Sequence, residues 1–199
     1  LEEYRKLIIE DYILEEEQIK FSELQIIDEI PYYQKIKNHL NDTNIFKVNY
    51  YKMNHYGIYH PSKNICNKYK LIIYANGHTD FAYNHKDFLE LKENALNNCY
   101  ELLVLGMTGL GFNEISESSF PGQQLDQDKL SHEVFKTYFD PKFNTKKPLS
   151  LMLSGNYYLI KKIIKQKKNY DKIFMVGLSG GGWYTTFLSS IITEIYSSY

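Results

Sequence analysis

One serine of this chain is framed by glycines and follows a short apolar run. Residues 173–176 form that run and are predicted to be a buried strand, and the segment from Trp183 onward is predicted to be a helix. Between them stands Gly177-Leu178-Ser179-Gly180-Gly181, a G-x-S-x-G pattern in a strand-turn-helix context. This is the context of a nucleophile elbow, a turn that exposes a serine hydroxyl above a sheet. The pattern therefore predicts that Ser179 is a nucleophile.

The glycines beside this serine serve the geometry of the turn. In so tight a turn the residues two before and two after the serine come close together, and side chains there would collide. Gly177 and Gly181 avoid the collision, so we assign them as elbow-forming residues. The amide of Gly180, at the start of the helix, would face the oxyanion that forms when a carbonyl is attacked. One loop would thus supply the nucleophile and half of an oxyanion hole.

A phosphate-binding loop is the competing interpretation of glycines at the start of a helix. A P-loop ends in Gly-Lys-Ser or Gly-Lys-Thr, whereas Trp183 follows Gly182 here. The dinucleotide fingerprint G-x-G-x-x-G fails as well, because Ser179 stands where its second glycine is required. The sequence therefore favours the elbow.

A second glycine cluster, LGMTGLGFN, spans residues 105–113. Its glycines also miss the dinucleotide fingerprint, so we interpret it as a turn that brings backbone near the site. Its apolar side chains would form either a wall of an acyl pocket or plain loop packing. The polar stretch 113–147 also has two possible interpretations: it either covers part of the site or is a surface excursion. The glycines are Gly106, Gly109 and Gly111, and the apolar residues are Met107, Leu110 and Phe112.

The elements around the elbow alternate between strand and helix. Residues 1–42 are predicted to be a polar helical segment packed on the domain, with a lid or partner-binding arm as the alternative. Residues 43–199 begin with two antiparallel strands and continue as strand, helix, strand, helix, strand and helix. This order predicts an α/β fold with a mostly parallel sheet flanked by helices.

This order of elements and the elbow resemble the α/β-hydrolase family, specifically its serine esterase-like members, from about Ile45 onward. In that family a loop after an earlier strand donates the second oxyanion amide. The segment YANGHTD, residues 74–80, occupies that place. The resemblance thus implies a donor among Gly77, His78, Thr79 and Asp80. The choice stays open, because aligning the family's His-Gly pair with residues 76–77 or with residues 78–79 moves the donor by two residues.

The chain departs from the family's pattern after the serine. Family members carry an acid and then a histidine after the nucleophile, and a serine without a base is a weak nucleophile. Here Glu194 is the only acid after Ser179, and no histidine follows it. We therefore expect the chain to be the N-terminal part of a hydrolase, truncated after the nucleophile helix and inactive by itself. Without further sequence, the strand at residues 172–176 would be an exposed sheet edge.

The remaining histidines are weaker candidates for catalysis. His78 would lie near the serine, but an oxyanion-loop or supporting role suits its position better than proton transfer. His132 and Asp140 precede Ser179 in an order that belongs to a β-barrel architecture. No histidine has metal-ligand spacing, so no metal site is predicted. Four others are predicted to be solvated: His39, His55, His60 and His85.

The resemblance implies a carboxylic-ester hydrolase that forms an acyl-enzyme on Ser179, with a small-molecule ester as substrate and no metal or organic cofactor. Two alternatives stay open: a non-catalytic binding module on the same scaffold, and an acyltransferase that uses an acceptor other than water.

Composition narrows the partners and the cellular setting. The 199 residues carry 23 Lys and Arg against 24 Asp and Glu, which argues against nucleic acid as a partner. No apolar run approaches the ~18 residues that span a bilayer, so no integral membrane segment is predicted. Localisation stays open between the cytoplasm and secretion without the signal peptide, and the oligomeric state is open too. For Cys66 and Cys99 we expect two buried thiols rather than a disulfide.

Overall fold

A computed structural model of the chain describes residues 1–24, 33–50, 53–77, 82–108, 113, 148–166 and 170–199. Several residues named above lie outside these ranges: His78, Thr79, Asp80, Gly109, Leu110, Gly111, Phe112, His132 and Asp140, together with the stretch 114–147.

The described residues form one sheet of seven strands in the order β1-β2-β3-β5-β4-β6-β7. The strands β1, β2, β3 and β5 pair antiparallel in that order, and β5, β4, β6 and β7 pair parallel. The predicted α/β fold is confirmed, with the parallel pairings confined to one half of a mixed sheet. The strands are β1 Lys20–Leu24, β2 Asn44–Tyr50, β3 Met53–His60, β4 Tyr69–Ala75, β5 Tyr100–Leu105, β6 Tyr170–Gly177 and β7 Ser197–Ser198.

Helices cover both faces of the sheet. Because side chains alternate along a strand, Ile73 of β4 faces one layer and Ile72 faces the other. The first layer holds α1, α4 and α5, and the second holds α2 and α3. No helix among the described residues is both long and apolar enough to cross a bilayer. The helices are α1 Glu2–Tyr12, α2 Tyr33–Ile36, α3 Lys86–Leu96, α4 Pro148–Gln166 and α5 Gly180–Ile191.

The prediction of a helical segment at residues 1–42 is wrong at β1. This strand pairs antiparallel with β2, and Phe21 stacks on Phe46 with 5.7 Å between ring centroids. Between α1 and β1 the chain buries Ile13 and Leu14 in the core. Pairing with β2 thus fixes a segment whose polar sequence carries no clear strand pattern.

The end of the chain also differs from the prediction. Helix α5 ends at Ile191, and β7 then pairs parallel with β6. The amide of Tyr199 donates to Met175 O at 2.9 Å, and the amide of Gly177 donates to Tyr199 O at 3.0 Å. The expectation of an exposed edge along β6 is therefore wrong over these residues.

The expectation of two free thiols is wrong as well, because Cys66 and Cys99 form a disulfide with 6.0 Å between their Cα atoms. The two cysteines precede β4 and β5, which are neighbours in the sheet and pair from Lys70 and Tyr100 onward. The amide of Lys70 donates to Cys99 O at 3.0 Å. Strand pairing thus brings together two cysteines that are 33 residues apart.

The carboxyl ends of three parallel strands meet at one edge of the sheet, which we call the carboxyl edge. Ala75 of β4 pairs in register with Leu105 of β5 on one side and with Gly177 of β6 on the other. Loops that follow these strands therefore converge there, as ligand-binding loops of open α/β sheets do.

Candidate active site

Ser179 lies at the carboxyl edge, between the end of β6 and the first residue of α5. Its backbone has φ 54° and ψ −120°, a conformation that L residues rarely adopt. Holding a residue there costs about 1–3 kcal/mol, which the surrounding contacts must offset. Two turn hydrogen bonds support it: the amide of Gly181 donates to Leu178 O at 2.8 Å, and that of Gly182 donates to Ser179 O at 2.9 Å. The residue is exposed to solvent.

The turn leaves no room for side chains two positions from the serine. A Cβ added to Gly177 would lie closer than 3.0 Å to the carbonyl oxygen of Gly181. A Cβ added to Gly181 would come as close to the carbonyl oxygen of Ala75, on the neighbouring strand β4. In both substitutions the added Cβ would collide with a backbone carbonyl group, and a side-chain rotation cannot relieve such a clash.

Gly77 lies directly beside the serine. A Cβ on Gly77 would meet Leu178 O at 2.7 Å and Ser179 Cβ at 3.1 Å, so only glycine fits at this distance. Gly180 lies on the other side of Ser179 as the first residue of α5, where an amide has no partner within the helix. The loop after β4 and the start of α5 thus border the serine, while His78 and Thr79 lie outside the described residues.

The histidines predicted to be solvated divide into two groups. His39 and His85 are half-buried, whereas His55 and His60 are 0% and 2% exposed, so the prediction is wrong for these two. The pKa of each buried histidine is lowered to about 3, mainly by burial. For His60, the nearby charges of Lys92 and His39 lower the pKa as well. Both are therefore neutral near pH 7.

The hydroxyl of Ser179 has no hydrogen-bonded base among the described residues. No histidine or carboxylate there is hydrogen-bonded to its hydroxyl, and Glu194 instead accepts a hydrogen bond from Lys161 at 2.5 Å. The same residues contain no group of three or more His, Cys, Asp or Glu side chains that could hold a metal ion.

Met107 packs in the hydrophobic core. Its side chain is 3% exposed and belongs to the core cluster under α4 and α5, so plain packing is the correct interpretation for this residue. Thr108, which follows Met107, lies in a buried polar network that the sequence does not reveal. Its members come from separate segments of the chain, and no local pattern marks them.

Comparisons with known proteins bear on the fold. No protein-family model matches the sequence, and no curated protein matches it. Among solved structures, a putative acetyl xylan esterase from Bacteroides fragilis aligns with a TM-score of 0.55 and 15% identity, over 98% of this chain and 50% of its own. Acetyl xylan esterase 1 from Thermoanaerobacterium sp. aligns with a TM-score of 0.53 and 10% identity, over 98% and 56%.

An acetyl xylan esterase from Paenibacillus sp. R4 gives a TM-score of 0.51 at 13% identity, with 98% of this chain and 56% of the other covered. The chain therefore has the α/β-hydrolase fold, and it spans about half the length of these solved structures.

Proposed function

We propose that the protein is a serine hydrolase that cleaves carboxylic esters through an acyl-enzyme on Ser179. The observation that carries the proposal is the backbone of this serine, an exposed residue held at φ 54° at the carboxyl edge. Strain of this kind persists where the surrounding structure imposes it, and it is concentrated at functional sites. The absence of side chains at Gly177 and Gly181 allows the turn that holds it.

The proposed reaction has two steps. The Ser179 oxygen attacks the ester carbonyl carbon while a base takes its proton, and the carbonyl oxygen becomes an oxyanion. Amides of Gly180 and of the loop after β4, at Gly77, His78 or Thr79, donate hydrogen bonds to it. The alcohol leaves with the proton, and water then attacks the acyl-enzyme to release the acid and restore the serine.

The base and its acid partner are proposed to come from sequence outside the 199 residues, because the family's pattern places both after the nucleophile and no histidine follows Ser179 here. The names of the three aligned structures, all esterases, support an ester as the substrate class. The disulfide between Cys66 and Cys99 supports an oxidising compartment as the place of action.

A non-catalytic binding module is the second candidate. It is favoured by the lack of a histidine or carboxylate bonded to Ser179 among the described residues. In that case the carboxyl edge would bind a ligand without turnover, and Ser179→Ala would leave binding intact.

Hydrolysis of p-nitrophenyl esters tests the proposal. The full-length protein should hydrolyse at least one ester in a series from acetate to palmitate, Ser179→Ala should not, and the 199-residue chain should show little turnover. An inactive full-length protein across the whole series would argue for the binding module. Robust turnover by the 199-residue chain would mean that its own residues supply the base.

A further inference from the structure

A buried network of polar groups centres on the hydroxyl of Thr108, three residues after Leu105, the last residue of β5. Its Oγ1 lies 2.9 Å from His55 Nε2, 2.7 Å from Met152 O and 3.2 Å from the Tyr184 hydroxyl. Thr108 is 4% exposed, and His55 and Tyr184 are fully buried. Because these groups are shielded from bulk solvent, each depends on its partners for hydrogen bonds.

The number of protons on each hydroxyl limits the direction of these hydrogen bonds. A threonine hydroxyl has one proton, and Thr108 donates it to the carbonyl oxygen of Met152. In this arrangement Thr108 accepts from Nε2–H of His55, which agrees with the side-chain amide of Asn113 lying 3.5 Å from the other ring nitrogen, Nδ1. The single hydroxyl proton of Tyr184 is shared between Thr108 Oγ1 at 3.2 Å and Met152 O at 3.1 Å. Because the pKa of His55 is lowered to about 3, the imidazole remains neutral in this role.

The network joins four elements near the carboxyl edge. His55 belongs to β3, Thr108 to the loop after β5, Met152 to α4 and Tyr184 to α5. The loop after β5 is held further at Gly106 O, which accepts the side-chain amides of Asn113 at 2.9 Å and Asn156 at 3.1 Å.

Helix α5 needs such an anchor because its first turn has no side chains to pack. Residues 180–182 are all glycine, and Trp183 is 43% exposed. Tyr184 is therefore the first buried side chain of α5, five residues after Ser179 and about 7 Å along the axis at 1.5 Å per residue. Its hydroxyl bonds both to Thr108 and, at 3.1 Å, to Met152 O.

We propose that Thr108 and Tyr184 are positioning residues, which lock the start of α5 to the loop after β5 and to α4 and so hold Ser179 in its attacking geometry. The catalytic consequence rests on the proposed serine hydrolase function. The structural consequence, an elbow held rigid by the Thr108–Tyr184 contact, does not depend on it.

Three variants and one control separate positioning from general stability. Tyr184→Phe removes one hydroxyl and keeps the ring, Thr108→Val removes the central hydroxyl at constant shape, and Thr108→Ser restores it. Tyr59→Phe is the matched control, because Tyr59 is also fully buried and its hydroxyl lies 3.4 Å from that of Tyr170, next to Glu101 at the opposite edge of the sheet. Thermal unfolding establishes that each variant is folded.

Two readouts on the full-length protein decide the matter: kcat and KM for p-nitrophenyl acetate, and amide hydrogen exchange of residues 177–183. For Tyr184→Phe and Thr108→Val we expect kcat to fall about 10- to 100-fold at little changed KM, because small misplacements of a reacting atom cost that much. Exchange at the elbow should rise at least tenfold in both. Thr108→Ser and Tyr59→Phe should resemble the wild type in both readouts.

Elbow exchange and kcat in Tyr184→Phe equal to those of Tyr59→Phe would overturn the proposal. If Thr108→Val does not fold, the comparison of Tyr184→Phe with Tyr59→Phe still decides it. A wild-type protein that hydrolyses no ester would refute the proposed function alone, because the exchange measurement continues to test whether the contact holds the elbow.

Discussion

Two buried histidines should make the protein lose stability in mild acid. His55 bonds to Thr108 and is fully buried, and His60 is 2% exposed and lies 2.8 Å from the Tyr83 hydroxyl through its Nε2. The pKa of each is lowered from 6.5 to about 3, mainly by burial. Around His60 the nearby positive charge of Lys92 acts in the same direction.

The size of the loss follows from the difference between the folded and unfolded pKa values. A folded pKa below the unfolded value means that the unfolded chain binds the proton first, so the stabilisation is complete above pH 6.5 and is lost as the pH falls toward 3. At pH 5.5, one unit below the unfolded pKa, each histidine lowers the free energy of unfolding by about 1.4 kcal/mol. Together they remove about 3 kcal/mol, a large share of the 5–15 kcal/mol typical of proteins.

Urea unfolding at pH 7.5 and pH 5.5, followed by Trp183 fluorescence, measures this loss. His60→Gln should be less stable than the wild type at pH 7.5, because the hydrogen bond between residue 60 and Tyr83 is disturbed. Between the two pH values, however, its free energy of unfolding should fall by only about half as much as that of the wild type. The pKa of His39 is also lowered, by its partial burial and by Lys92, so His39 adds to the loss in the wild type and the variant alike. The pKa of Glu93 and that of Glu194 lie below 4.5, outside this window. A wild type that is equally stable at both pH values, or a His60→Gln variant with the full loss, would show that the buried histidines do not cause the acid sensitivity.

Three further predictions concern the elbow and the disulfide. Ser179→Gly should raise the free energy of unfolding by about 1 kcal/mol relative to Ser179→Ala in urea titrations, because glycine relieves the cost of φ 54°; equal stabilities would contradict the strain. Gly181→Ala should lower the free energy of unfolding by about 3 kcal/mol, since the added Cβ meets the backbone of Ala75. A variant with the melting temperature of the wild type would show that the turn has room for a side chain. The double variant Cys66→Ser, Cys99→Ser should have a free energy of unfolding about 2–4 kcal/mol lower than the wild type. The unfolded wild type should react with iodoacetamide only after reduction, and a reaction without a reductant would exclude the disulfide.

The sequence predicted most elements whose apolar pattern is local. The strand predicted at residues 173–176 lies within β6, and the helix predicted from Trp183 onward lies within α5. The elbow was predictable too, because G-x-S-x-G after an apolar strand describes a local turn, and Ser179 has the positive φ that such a turn requires.

What the sequence did not predict depends on neighbours distant in the chain. Strand β1 is polar, and pairing with β2 decides its conformation. His55 looks like a residue for the solvent face of a strand, but α4 covers that face, with Gly155 against the imidazole ring. The disulfide of Cys66 and Cys99 requires β4 beside β5, a pairing that spacing alone does not reveal.

Covalent labelling shows whether Ser179 is an activated nucleophile. A fluorophosphonate reacts with such a serine when its oxygen displaces fluoride, and intact-protein mass spectrometry detects the adduct. We expect one adduct on the full-length protein, located at Ser179 by peptide mapping, and none on Ser179→Ala. A full-length protein that stays unlabelled, or that is labelled equally in the alanine variant, would contradict this expectation.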